Sequence, residues 1–535
     1  MHKYLFILLS IFLQFSINAQ SVSDYNKKLT KGTVFLLKGK YSLALPALLD
    51  AYNIDSSNSN INYKIGLCFI NIDGLKNKSL PFFEKAILNT SVNYDDSNAK
   101  EKFAPQKAFY FYGQSLLLNE HIDEAITQFE KYKSLQEKKE VITDVNHQIE
   151  ICKNAKILIS APTNIILKKL NDSINSPYSD YGSVILNNEQ IIIYTSRKPE
   201  TTGGKKNNEG AFFEDIYFSQ KKTDSTWTKP ESISKNINTD GNEAIVGLSK
   251  DEQTIFINKK DINGGDIYSS NYDGADWSIP QPLESNINSP SLETNSCLSP
   301  DGNIIYFISN RPNGIGGKDI WKCNKLPNGK WGNAINLGEP INTPYDEESP
   351  FVHPNGNILF FSSKGHNTIG GYDIFFSFAN ENKWEEPMNI GYPINSTDDD
   401  LYYVTSPNGE NGYFSSARIN GNGGKDIYIS TKNKSDEEQL VLIKGKVVPV
   451  DGEKLPEGIE VLSTNNESGA IGNFRLMKDG SFTIILTPNN KYTLSYLNNG
   501  NEFFSEIIDV PAGAVFQEIE KELKLKEVIF DNTKK

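Results

Sequence analysis

The sequence predicts a multidomain chain: an N-terminal α-solenoid, a central all-β propeller and a small C-terminal β-sandwich. Two observations carry that prediction. A set of markers returns at intervals of 51 to 54 residues between about residue 164 and residue 430. On either side the periodicity changes, to helical spacing before the repeats and to short alternating strands after them.

The first nineteen residues have the layout of a secretory signal peptide: Lys3, an apolar Leu5–Phe15, and a small-residue region ending at Ala19. No Cys follows the apolar run, so a lipoprotein anchor is not expected. No later stretch reaches 18 consecutive apolar residues, so no membrane span is expected either.

Residues 21–160 carry helical spacing. Gly32 precedes Ala44 and Leu48, Gly66 precedes Phe83 and Ala86, and Gly113 precedes Ala125 and Phe129. A small residue where paired helices approach, then Ala, then a large apolar residue resembles the tetratricopeptide repeat. The resemblance implies three helical pairs and a closing helix near Val141–Leu158, stacked into a protein-binding solenoid. Ala161-Pro162 ends this region.

The repeats of residues 163–431 are read from several markers at once. Asp215-Ile216-Tyr217, Asp266-Ile267-Tyr268, Asp319-Ile320-Trp321, Asp373-Ile374-Phe375 and Asp426-Ile427-Tyr428 share one pattern, and their aspartates are 51, 53, 54 and 53 residues apart. Trp227, Trp277, Trp331 and Trp384 follow the first four. Ile-Asn pairs follow in turn at Asn238, Asn288, Asn342 and Asn395, and turns such as Ser299-Pro300-Asp301-Gly302 precede the triplets. In the third unit, strands are expected over Glu293–Leu298, Asn303–Ser309 and Asp319–Asn324, with a fourth near Trp331. Four strands per unit is the pattern of a propeller blade.

Five such sets are present, and the fifth lacks its own fourth strand. Asn164–Asn175, with its Ile174-Asn175 ending, supplies one from the other end of the repeats. Five blades closed in this way are expected, with six as the alternative. The units resemble the PD40 (WD40-like) repeats of TolB-type propellers, named for the Pro-Asp of the turn.

Leu440–Val510 returns to strands, with Val461, Phe482 and Tyr492 as the expected core. The order of its strands resembles the carboxypeptidase regulatory-like domain. Residues 511–535 read as a charged tail.

A formal charge of -13 and a pI near 5.1 exclude a phosphate-reading surface, so no nucleic acid is expected as a partner. Five His and four Cys leave little material for zinc. Cys297 and Cys323 fall on strands separated by a third, roughly 9.5 Å apart and out of disulfide reach.

Two sets of carboxylates could do chemistry. Asp180, Glu243, Glu293, Glu347 and Asp400 stand eight positions before each turn and could ring the axis and hold a cation; capping a turn or holding a neighbouring blade is the plainer role. Asp215, Asp266, Asp319, Asp373 and Asp426 follow Gly-rich hairpins and are expected to tie those loops. Asp261–Asp266 faintly resembles a calcium loop without its distal Glu. The four repeated Trp are expected to pack blade against blade. No Gly-x-Ser-x-Gly elbow, His-Glu-x-x-His helix or His–Cys pairing is present, so neither catalysis nor a cofactor or metal is expected.

Helical repeats, a PD40 propeller and a regulatory-like domain in this order resemble exported envelope proteins of the Bacteroidetes, including the OmpA-family peptidoglycan-associated component of type IX secretion. That resemblance implies a periplasmic, outer-membrane-associated scaffold binding envelope proteins of secretion or gliding. A ligand- or glycan-binding sensor or uptake accessory is the alternative. The OmpA-like domain that follows in that family would start about where Lys535 stands, so peptidoglycan binding is not carried over.

Overall fold

The computed structural model describes residues 24–98, 100–186, 188–207, 210–223, 226–260, 264–380, 383–433, 441–449, 454–456, 458–466, 469, 471–477, 479–486, 490–510 and 517–525. The expected signal peptide and residues 261–263 of the calcium-like loop lie outside them. Two compact units form. The larger holds the chain to Lys156 together with Ile165–Thr431; the smaller holds Ile157–Asn164 with Lys432–Lys535.

The larger unit begins with helices α1 (residues 24–37), α2 (Tyr41–Tyr52), α3 (Ser59–Ile70), α4 (Leu80–Ala86), α5 (Ala108–Leu118), α6 (Ile122–Lys133) and α7 (Lys139–Ser160). Their pairing explains the glycine spacing. A Cβ on Gly32 would come 2.6 Å from Leu48, on Gly66 2.7 Å from Phe83, and on Gly113 2.9 Å from Phe129. Each glycine lets a large side chain of the next helix reach the backbone, and Leu48, Phe83 and Phe129 are fully buried. Between α4 and α5 a small parallel pair, Thr90–Ser91 with Ala104–Pro105, interrupts the helices. Among the described residues no helix is long and apolar enough to cross a membrane.

Five β-sheets follow, each with three main strands in antiparallel order and short outer pieces. Their main strands are Asp180–Leu186, Ile191–Ser196 and Asp215–Thr223; Glu243–Leu248, Thr254–Lys259 and Asp266–Asn271; Glu293–Leu298, Ile304–Ser309 and Asp319–Asn324; Glu347–Val352, Ile358–Ser363 and Asp373–Asn380; and Asp400–Thr405, Asn411–Ser416 and Asp426–Lys432. The fifth sheet takes its outer strand from Ile165–Lys169, which lies beside Asp426–Lys432. The first strands of sheets one to five touch in succession, and that of the fifth touches that of the first. All five carry a register shift two or three residues after the leading acid.

Five apolar clusters join the sheets in sequence. Ile193 and Ile216 meet Ile257; Phe256 meets Phe307; Ile308 meets Phe361; Phe360 meets Phe414; Ile427 and Ile174 meet Tyr194. Each repeated Trp lies in the cluster between its own sheet and the one before it: Trp227, Trp277, Trp331 and Trp384. Their rings thus cover the seams where two twisted sheets diverge. All four cysteines are free and buried.

The smaller unit packs a three-stranded sheet and a four-stranded sheet around one core that includes Val461, Phe482 and Tyr492. Val441–Val448 is the central strand of the first sheet, and Gly445 faces Phe482, whose ring occupies the space a Cβ would need. The region read as a charged tail contributes Gln517–Lys524, a strand parallel to Val441–Val448. Its charges hid an alternation: Lys521 and Leu523 share the half-buried face, Leu523 packing on the core and Lys521 reaching Glu506 at 2.7 Å, while Glu520, Glu522 and Lys524 are exposed.

Candidate functional site: the axis of the five-sheet ring

The first-strand acids are fully buried and hold loops. Asp180 accepts from Ser176 N–H and Oγ at 2.6 and 2.7 Å. Glu293 accepts from Ser289 at 2.9 and 2.8 Å, Glu347 from Thr343 at 3.1 and 2.7 Å, and Asp400 from Ser396 at 2.7 and 2.8 Å. Glu243 accepts from Thr239 in the same way. Three have a cation beside them: Lys259 at 3.1 Å from Glu243, Arg311 at 3.0 Å from Glu293, and Arg418 at 2.6 Å from Asp400. In the fourth sheet Gly365 stands where Arg311 and Arg418 stand in their own sheets. His366 takes over the arginine's other contact, donating to the Ile341 carbonyl at 3.0 Å. Burial accordingly pushes Glu347 up to about 8 and His366 down to about 4.

The third-strand acids tie the preceding loops. Asp215 accepts from Thr202 N–H at 2.7 Å, Asp319 from Ile315 and Gly316 N–H at 2.6 and 3.0 Å, Asp373 from Ile369 N–H at 2.8 Å, and Asp426 from Asn422 N–H at 2.6 Å. Asp266 heads the same strand of the second sheet. Among the described residues no three His, Cys, Asp or Glu are grouped to hold a metal ion.

The Ile-Asn pairs, noted in the sequence only as markers, have a definite task. Each Asn side chain accepts from the backbone N–H, and donates to the carbonyl, of the Ile after a third-strand Asp. The distances are 2.9 and 2.8 Å for Asn238 on Ile216, 2.9 and 2.9 Å for Asn342 on Ile320, and 2.7 and 2.9 Å for Asn395 on Ile374. Asn288 does the same on Ile267. The amide replaces one residue of a fourth strand where regular pairing lapses.

Along the axis the ring has two parts. One is filled by charge. Glu214 accepts from Tyr181 Oη at 2.7 Å and pairs with Arg197, and Lys260 lies 3.7 Å away. Glu348 accepts from Asn295 at 2.5 Å and Thr294 at 3.2 Å and pairs with Lys318. Burial opposes the charge on Glu214, but Arg197 and Lys260 outweigh it and its pKa is lowered. Neither glutamate was singled out in the sequence. For both the signal was a break in the repeat: the other units have Gly265, Lys318, Tyr372 and Lys425 where Glu214 stands, and Tyr181, Ala244, Thr294 and Leu401 where Glu348 stands.

The other part is a cavity of about 290 Å³ walled by the first strands and reaching the turns at Pro300, Pro354 and Pro407. Val246, Leu298, Phe351 and Tyr403 give it an apolar wall.

The helices meet the ring through a second charged cluster. Lys76 Nζ lies 2.6 Å from Asp398 and 2.7 Å from Asp399, while Lys425 lies 2.6 Å from Asp73. The His147 ring stacks on Tyr345 at 4.0 Å, and Asn154 donates to the Thr368 carbonyl at 3.1 Å. Gly74 is pressed on Gly423 so closely that a Cβ would sit 1.5 Å from its carbonyl oxygen. Burial opposes the charge on Asp399 as well, but Lys76 and Lys425 hold its carboxyl well below the usual range. Of the described His, His121 is exposed, His147 and His366 face carbonyls, and His353 accepts from Asn355 N–H in its turn.

No protein-family model and no curated protein matches this chain. Similar solved structures include a TolB-type protein of Agrobacterium tumefaciens, with 16% identity and a TM-score of 0.28 over 47% of this chain and 73% of that one. They also include the oligogalacturonate lyase of Vibrio parahaemolyticus, with 10% identity and a TM-score of 0.29 over 51% and 96% of the two chains. The α-L-arabinofuranosidase of Lactobacillus brevis gives 15%, 0.32, 50% and 94% in the same order. With every one of these TM-scores below 0.5, the ring described above stands on this chain's own strand pairing.

Proposed function

We propose that this protein is a non-catalytic scaffold of the bacterial periplasm, associated with the outer membrane and binding protein partners of secretion (type IX) or gliding. In this reading the five sheets are a closed five-bladed propeller of the TolB type with PD40 repeats. The helices are a tetratricopeptide-like solenoid, and the smaller unit is a carboxypeptidase regulatory-like sandwich. Fold alone does not choose a function.

The observation that carries the reading is the Lys76–Asp398–Asp399 cluster. It fixes the helices to the ring, so that both present one preorganised surface, and preorganisation lowers the entropy cost of docking a partner. That surface has apolar handles: Leu88, Val92 and Phe103, which flank the small parallel pair, are 73%, 74% and 49% exposed. Aromatic and aliphatic side chains in such positions are common anchors of protein interfaces.

Crosslinking in the native envelope followed by mass spectrometry tests the proposal. Recovery of outer-membrane secretion or motility components is the expected result. Hydrolysis of peptides or glycans by the purified protein, lost on substituting a residue of this chain, would overturn it.

A further inference from the structure

We propose that the arm between the two short parallel strands, residues 93–102, is an internal ligand. It fills a groove on helix α3 that an acidic, extended segment of a protein partner takes when the arm lifts away. The inference rests on the scaffold reading and adds the chemistry of one partner and the means of admitting it.

The groove is polar where a helix face turned inward is normally apolar. Asn58, which caps α3, and Asn60, Asn62 and Lys64 in its first half are 6%, 1%, 0% and 1% exposed. Lysine is almost never buried so fully without a partner, and here the arm supplies it. Lys64 Nζ donates to the Asp96 carboxylate at 2.7 Å and to the Asp96 carbonyl at 3.2 Å. Asn60 donates from its side-chain amide to the Glu101 carbonyl at 3.1 Å and from its N–H to the Lys102 carbonyl at 3.2 Å. It also accepts from Tyr94 Oη at 2.9 Å. One carboxylate and three backbone carbonyls thus seat on α3, the groups by which an extended acidic peptide would be held.

The arm is a single layer of chain. Asn93, Asp95, Ser97, Asn98, Lys100 and Lys102 are exposed, and its ring contact with α3 is Tyr94 edge-on to Tyr63 at 6.1 Å. Its turns are tied within themselves: Asp95 accepts from Ser97 N–H at 3.0 Å, and Glu101 from Phe103 N–H at 2.9 Å. Lifting the arm returns Lys64 and Asp96 together to water, which offsets most of the lost pairing. A buried pair is costly to break chiefly when one member stays buried alone. Segments with exposed backbone and few apolar contacts open at low free energy. Ala86 and Ala104, on either side, are fully buried in one cluster with Tyr63 and Phe83, so the ends stay anchored while the middle moves.

The test uses the full chain and, as probe, a fluorescent peptide copying residues 93–103. In the wild type the tethered arm competes at high effective concentration, so the probe should bind weakly. Asp96→Asn combined with Tyr94→Phe in the chain loosens the arm and should tighten probe binding about tenfold, the worth of a charge-assisted hydrogen bond. A probe carrying Asp96→Asn should bind that loosened chain about tenfold more weakly than the native probe. Adding Lys64→Met, or Asn60→Ser if the first does not fold, should remove binding. In the wild type, hydrogen exchange should be faster at residues 94–102 than at residues 59–70. The proposal is overturned by any of four results: no uptake of the probe by the loosened chain, equal binding of the two probes, undiminished binding in a folded groove variant, or an arm that exchanges only as α3 does. Any of these beside the expected envelope crosslinks would sink the internal ligand and leave the scaffold role standing.

Discussion

The side chain of Asn175 grips both backbone groups of Ile427, 252 residues further along the chain: the Ile427 N–H donates to Oδ1 at 2.7 Å, and Nδ2 donates to the Ile427 carbonyl at 2.9 Å. The same clamp recurs in every sheet, but only here does it join residues from opposite ends of the repeats. Leu170 N–H adds a bond of 3.0 Å to the same carbonyl.

Asn175→Leu strips that clamp and leaves the Ile427 N–H without its partner, while the carbonyl keeps only Leu170 N–H. A loss of about 1–3 kcal/mol in a urea melt is expected, the cost of one orphaned buried group. Asn342→Leu, within one sheet, should cost a similar amount without loosening the junction. Hydrogen exchange at residues 165–170 should therefore rise in the first variant and not in the second.

Lys76→Met leaves Asp398 and Asp399 buried without their cation. Breaking one partner out of a buried ion cluster costs about 3–5 kcal/mol, so faster exchange is expected around residues 73–80 and 396–400. The pH sign follows from the depressed carboxyls of Asp399 and Asp73, where Lys76 and Lys425 favour the charged form; burial holds Asp398 up at about 6, and its smaller shift works the other way. Their stabilisation is present above the unfolded value of about 4 and is lost as pH falls through the folded values. Acid should part helices from ring before it melts the sheets, as followed by hydrogen exchange.

Glu347 has the opposite sign. With a folded pKa of about 8, its contribution is complete below the unfolded value of about 4.3 and is lost as pH rises through 8. Glu347→Gln should leave the melting temperature unchanged near pH 4.5 and raise it by about 2–5 °C at pH 8.5. Equal shifts at both pH values would rule out a buried neutral carboxyl.

Leu88→Asp with Val92→Asp should leave the melt within about 0.5 kcal/mol of wild type, since both side chains are largely exposed. Recovery of crosslinked envelope partners should nevertheless fall several-fold.

Much of this architecture is written in single residues. Gly32, Gly66 and Gly113 record three helix contacts, and Ile174-Asn175 marks the displaced strand, because each contact demands one residue type. Less specific demands leave weaker traces. The axial charges of Glu214 and Glu348 and the junction cluster at Lys76 depend on which loops meet, and charged residues read as ordinary surface until their partners are placed. The strand Gln517–Lys524 was obscured for a related reason: parallel pairing with a distant strand leaves no turn signal beside it.

Closing the fifth sheet with Ile165–Lys169 also dictates an order of events. A chain that emerges from its N-terminus first must keep that strand waiting until Asp426–Lys432 arrives. Until then the last seam stays unzipped and its apolar residues stay wet, a high-contact-order step that makes completion slow and leaves nascent chains open to capture by holdases.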